Sequence, residues 1–149
     1  MYGQRTAQAP LAAELGGSDF VAGSRDDSAP GGTADRFDLV LEAAGTASAV
    51  TSALGLARRG GRVVLLGLAG SDVRAGFPVD DVVNNDLRIA ASFAYTSAAF
   101  SEVADLLSAG RIRLGPLITH RFPLDAFRNA YQALREPTGV RGKVILDLE

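Results

Sequence analysis

The sequence predicts an α/β protein with a largely parallel sheet. Three observations point there. Short apolar runs alternate with stretches of helical periodicity, the order expected of βαβ units. One run, "RVVLLGL", is continuously apolar, as expected of a strand covered on both faces. Small or glycine-rich segments close most elements, where a parallel sheet needs its turns.

The elements follow in order. Residues 7–15, "AQAPLAAEL", form a short helix candidate stopped by Gly16 and Gly17. Pro10 is tolerated only near the first turn, which puts the helix start around residues 6–9. "DFVA", residues 19–22, is a short strand candidate, and the polar residues 23–36 read as a loop. "FDLVLEAAG", residues 37–45, is a strand with a small-residue exit.

A helix is expected from Ala47 to about Arg59, with Val50, Ala53, Leu54 and Ala57 on its apolar face. Arg58 and Arg59 would favour its dipole, and Gly60 and Gly61 would end it. The "RVVLLGL" strand, a short loop-helix element over residues 77–86 and a third strand over 87–96 come next. Residues 97–109 read as a helix with Phe100, Val103, Ala104 and Leu107 on one face, closed by Gly110. Residues 116–124 are extended, 124–136 are helical with Asp125 in the first turn, and 142–148 form the last strand. The apolar stripe of that last helix is Phe127, Ala130, Tyr131 and Leu134.

Composition excludes several classes. With 149 residues the chain has the size of one ordinary domain, and 47% hydrophobic residues can fill a core. The net charge of -2 gives no reason to expect nucleic acid or an anionic membrane as partner. There is no Cys and one His, His120, so disulfides and thiolate zinc sites are excluded together. No apolar run reaches the ~18 residues of a membrane span, and no signal peptide is visible in "MYGQRTAQAP". The expectation is a cytoplasmic protein.

Ligands of an open parallel sheet bind outside the carboxyl ends of its strands. Three such ends are built of small residues: residues 43–45, 67–70 and 92–94. Small residues let a flat ligand approach the backbone closely, although tight packing and ordinary turns account for any one of them. The 67–70 turn is not a phosphate grip. The dinucleotide fingerprint G-x-G-x-x-G must open a helix after a strand. Leu65 stands two before Gly67, and "SDVRAGFP" follows the turn. Neither the fingerprint nor a P-loop occurs anywhere in the chain.

The ordered set "EAAG", "RRGGRVVLLGL", "SFAYT", "LITHRFPL" and "GKVIL" resembles the C-terminal part of medium-chain dehydrogenases/reductases. It looks most like the zinc-dependent alcohol and polyol branch that includes sorbitol and threonine dehydrogenases. The resemblance runs from about Ala7 to the end. It implies an incomplete Rossmann-type doubly wound parallel sheet plus the C-terminal return segment of the catalytic domain. Residues 1–115 would be the partial NAD(P)-binding domain and 116–149 the return segment. The catalytic domain, the first two strands and the glycine-rich loop of the family precede the part matched here. Without those strands, "FDLVLEA" would expose an apolar edge and "DFVA" would lack a partner, leaving a three-stranded core.

The resemblance also implies roles. Ala44, Gly45 and Thr46 would lie near the adenosine side and bridging ribose. Gly67 and Leu68 would sit against the nicotinamide and its ribose, and Phe93 and Ala94 would touch the nicotinamide end. Lys143 would reach the ribose or pyrophosphate, its charge suiting an anion; an isolated Lys opening a strand is otherwise a solvated residue. Gly3, Gln4 and Arg5 fall near the turn that discriminates NAD from NADP, and Arg5 could meet a 2′-phosphate. The implied cofactor is NAD or NADP. Zinc belongs to the intact family, and this chain supplies no ligand for it. The implied partners are a small alcohol or polyol and either a second copy or a complementing chain.

Other positions read as structural. His120 on an extended segment reads as hydrogen-bonded or packed. Asp80-Asp81 and Asp26-Asp27 are adjacent pairs whose side chains diverge, so they read as solvated or capping. Glu42 ends a buried strand and could bond a backbone amide. Two further readings stand beside the enzyme fragment. One is a non-catalytic module, truncated or split, that pairs with another chain. The other is a zinc-free quinone-reductase-like member, which "SFAYT" and "LITHRFPL" disfavour.

Overall fold

The sheet that matters for the site is three-stranded and parallel throughout. In the computed structural model, which describes residues 1–3, 5–23, 37–135 and 139–148, it comprises β3 (Phe37–Glu42), β4 (Ala57–Leu65) and β5 (Arg88–Ala91), in the order β3-β4-β5. Strands β1 (Tyr2–Gly3) and β2 (Val21–Ala22) form a parallel pair of their own. So do β6 (Ile118–Pro123) and β7 (Lys143–Asp147). The helices are α1 (Ala9–Glu14), α2 (Ala47–Leu56), α3 (Val79–Asn84), α4 (Ser97–Ser108) and α5 (Phe127–Arg135), with 3-10 turns at Thr6–Gln8, Gly115–Leu117 and Leu124–Ala126. The chain divides into two compact units, Ser24–Ser97 and the combination of Met1–Gly23 with Ala98–Glu149.

In the Ser24–Ser97 unit, α2 covers one face of the sheet. Ala53 and Leu54 of α2 pack with Ala57 and Val63, and Val40, Leu65 and Leu87 flank them. Strand period two puts Val40 and Glu42 on this face and Phe37, Leu39 and Leu41 on the other. Those three remain 47%, 51% and 59% exposed. The expectation of a sheet covered on both faces is therefore corrected: Val63 is fully buried, but Leu66 after β4 is exposed. Among the described residues β3 pairs with β4 on one side alone, and its exposed apolar residues lie on one face.

Three further expectations need correction. Helix α2 stops at Leu56, not Arg59, because Ala57 turns extended and pairs with Phe37. Arg58 and Arg59 therefore lie in β4, where Arg58 pairs with Asp38 instead of serving a helix dipole. The ladder resumes only at Leu39 opposite Arg62, and the excursion between is accommodated by Gly60 at φ 69. "DFVA" does have a partner: Val21 and Ala22 pair with Tyr2 and Gly3. The third strand is shorter than residues 87–96, since Ala94 adopts φ 55 and leaves the extended region.

In the other unit, Pro10 occupies the first turn of α1 as required. The apolar faces of α4 and α5 follow the expected spacing, yet of the residues named for them Ala130 alone is buried. Thr119 ties β6 to β7: its Oγ1 accepts from Gly142 N at 3.0 Å. Residues 24–36, with Asp26 and Asp27, and Gln4 lie outside the described residues.

Candidate functional site

Parallel pairing of β3, β4 and β5 brings their carboxyl ends side by side, and small residues stand at each: Ala43, Ala44 and Gly45, Gly67 with Ala69 and Gly70, and Ser92 with Ala94. Glu42, the last residue of β3, organises two of these ends. Its side chain is buried, and Oε1 accepts from both Ala44 N and Gly45 N at 2.8 Å. Its main-chain carbonyl accepts from Leu66 N at 2.7 Å and Gly67 N at 3.1 Å. One residue thus holds the exit of β3 through its side chain and the exit of β4 through its backbone. The third end is tied to the second by Ser92 N donating to Leu65 O at 3.1 Å.

The first two exits touch backbone to backbone. A Cβ on Gly67 would come well inside 3.0 Å of Gly45 N and Cα. A Cβ on Gly45 would lie 2.6 Å from Leu68 O, and Gly45 also sits at φ 67. No side chain fits at either position, so glycine is required twice for one contact. Thr46 caps α2, its Oγ1 accepting from Ala49 N at 3.2 Å.

The outer rim is apolar and open: Leu68 is 80% exposed and Phe93 84%. After β4 the chain does not enter a helix until Val79, so the 67–70 turn lacks the strand-to-helix geometry of a phosphate loop.

Of the eight residues singled out from the sequence, Ala44, Gly45, Thr46, Gly67, Leu68, Phe93 and Ala94 all lie at these three ends. Lys143 belongs to the other unit, where it opens β7 opposite Ile118 and is exposed. His120 is hydrogen-bonded to Thr119, with Nδ1 and Oγ1 2.9 Å apart, and its ring stacks on Phe122. Asp80 and Asp81 lie exposed in the first turn of α3, where negative charge is favourable. Gly3 lies in β1, and Arg5 N donates to Gln8 Oε1 at 3.2 Å. Sequence reasoning found that Glu42 could bond an amide but not that it joins two exits. Its position before "AAG" at a strand end was the available signal; the partner loop had none.

Leu68 and Phe93 leave exposed apolar surface at the second and third strand ends. Zinc does not fit. Among the described residues no cluster of three or more His, Cys, Asp or Glu could hold a metal, and the whole chain has one His and no Cys. Among the described residues no helix is long and apolar enough to cross a membrane.

The family model described as zinc-binding dehydrogenase matches residues 15–146. The chain belongs to this zinc-binding dehydrogenase family. Within it, the chain corresponds to the C-terminal part of a medium-chain dehydrogenase/reductase.

It is 30% identical to the L-threonine 3-dehydrogenase of Bacillus licheniformis over 91% of this chain and 40% of that one. A solved structure from Sinorhizobium meliloti 1021, described as a zinc-binding dehydrogenase and bound to NADP, superposes with a TM-score of 0.82. The two are 28% identical, the match covering 97% of this chain and 43% of that one. A short chain alcohol dehydrogenase of Escherichia coli CFT073, complexed with NADH, superposes at 0.81 and 22% identity, over 99% of this chain and 43% of that one; this likeness concerns the fold. The chain spans about two-fifths of the length of the curated relatives it matches.

Proposed function

We propose that this zinc-binding dehydrogenase family chain is the cofactor-facing part of an oxidoreductase that moves a hydride between NAD or NADP and an alcohol or polyol. The observation that carries the reading is the joined carboxyl ends of β3 and β4, where Gly45 and Gly67 meet under the exposed rim of Leu68 and Phe93. Open parallel sheets bind dinucleotides outside these ends.

In this reading Ala44, Gly45 and Thr46 lie on the adenosine side and near the bridging ribose. Gly67 and Leu68 lie against the nicotinamide and its ribose, Phe93 and Ala94 at the nicotinamide end. Residues 1–115 then belong to the dinucleotide-binding domain and 116–149 to the return segment of the catalytic domain. The bound nicotinamide supplies the hydride chemistry. The chain supplies an apolar rim and fixed backbone groups that orient the ring. Zinc in this family polarises the substrate oxygen, and among the described residues no cluster of side chains could ligate it. Purified as 149 residues, the chain is expected to show no turnover. Zinc-dependent oxidation of any alcohol by it contradicts this reading.

A second reading is favoured by the open face of β3, where Phe37, Leu39 and Leu41 are exposed. On it, the chain is a non-catalytic module that pairs with another chain across that surface. The DNA upstream of Met1 separates the two. An in-frame stretch encoding Cys, His, Glu and G-x-G-x-x-G supports the enzyme. A stop codon or a separate upstream gene supports the module.

A further inference from the structure

We infer that Glu42 is a positioning residue that sets the two cofactor-side exits in register, an inference that rests on the dinucleotide reading above. Its carboxylate does what an external anion does at a concave pair of backbone amides. Ala44 N and Gly45 N are successive donors, Gly45 is left-handed, and Glu42 Oε1 accepts from both at 2.8 Å. The amides at this exit are therefore engaged internally, which leaves the exit unsuited to gripping a phosphate. Instead its backbone is fixed as a platform.

The carbonyl of the same residue fixes Leu66 and Gly67 on the neighbouring exit. Gly45 and Gly67 are in backbone contact, so a shift of one exit must displace the other. Glu42 Oε2 is buried and has no hydrogen-bond partner among the described residues. A residue kept only to fill this place would be apolar, since burying an unpaired acceptor is destabilising. The cost is intelligible if the residue is needed for the amides that Oε1 holds.

The test compares the wild-type chain with Glu42→Gln, which keeps one acceptor oxygen, and Glu42→Met, which keeps the length and has none. Amide exchange is read at Ala44 and Gly45, with Val63 and Val64 as internal references for the sheet. NADH is then titrated while the amide resonances of Gly45, Gly67 and Leu68 are followed.

Glu42→Met is expected to speed exchange at Ala44 and Gly45 about tenfold and to abolish the NADH-induced shifts, with Glu42→Gln retaining both within about threefold. Equal acceleration at Val63 and Val64 in Glu42→Met overturns the inference, because Glu42 then serves the sheet as a whole. Wild-type shifts that persist in Glu42→Met overturn the inference alone. A wild-type chain without NADH-induced shifts overturns the dinucleotide reading and, with it, the inference.

Discussion

The exits of β3 and β4 are joined by backbone, whereas the exit of β5 presents side chains. At the first two, Gly45 and Gly67 meet with no room for a Cβ, and Glu42 holds four neighbouring amides. At the third, Phe93 and Tyr95 are 84% and 74% exposed, and Ala94 stands in the left-handed region without a glycine. The difference teaches which part of the edge is scaffold and which is surface. The first pair must be glycine for geometric reasons and tolerates little. The third can change its side chains while the sheet stays intact.

The largest effect is expected where two backbones touch. Gly67→Ala should destabilise the chain by about 2–4 kcal/mol, because the new methyl meets the Gly45 backbone, which cannot rotate away. Chemical denaturation followed by circular dichroism reads this. A loss below about 0.5 kcal/mol would mean the exits are not in contact. Gly45→Ala combines a close approach to Leu68 O with a positive φ and should cost about 2–3 kcal/mol in the same measurement.

The third exit should respond with the opposite sign. Ala94→Gly removes the strain of a non-glycine residue at φ 55 and should stabilise by about 0.5–1 kcal/mol. A loss of stability there would erase the contrast between the exits. The smallest effect belongs to the surface. Arg58 and Asp38 form an ion pair with side chains 52% and 83% exposed. Asp38→Asn should change the denaturation midpoint by no more than the equivalent of about 0.5 kcal/mol, and less at high salt.

Much of this was legible in the sequence because it is local. The alternation of apolar runs and helical stretches located every strand and helix of the three-stranded sheet. The small residues at its three exits marked the edge before any fold was known. Glu42 was also legible as an amide partner, from its place at a strand end before small residues.

What was not legible depends on distant pairing. Ala57 has good helix propensity, yet pairing with Phe37 draws it into β4 and ends α2 early. The pair β1–β2 is two residues long on each side and carries no periodic pattern. The contact of Gly45 with Gly67 joins two turns whose glycines each look sufficient as turn residues. Ala94 gave no sign of its left-handed conformation, since alanine is not a residue that marks one.

The most direct test of the account is a titration of the 149-residue chain with NADH, followed through its backbone amide resonances. Shifts are expected at Gly45, Thr46, Gly67, Leu68, Phe93 and Ala94. The dissociation constant should be roughly 1 mM, about −4 kcal/mol, because the chain carries no pyrophosphate-binding fingerprint. A micromolar constant, or shifts that leave these residues untouched, would contradict the account.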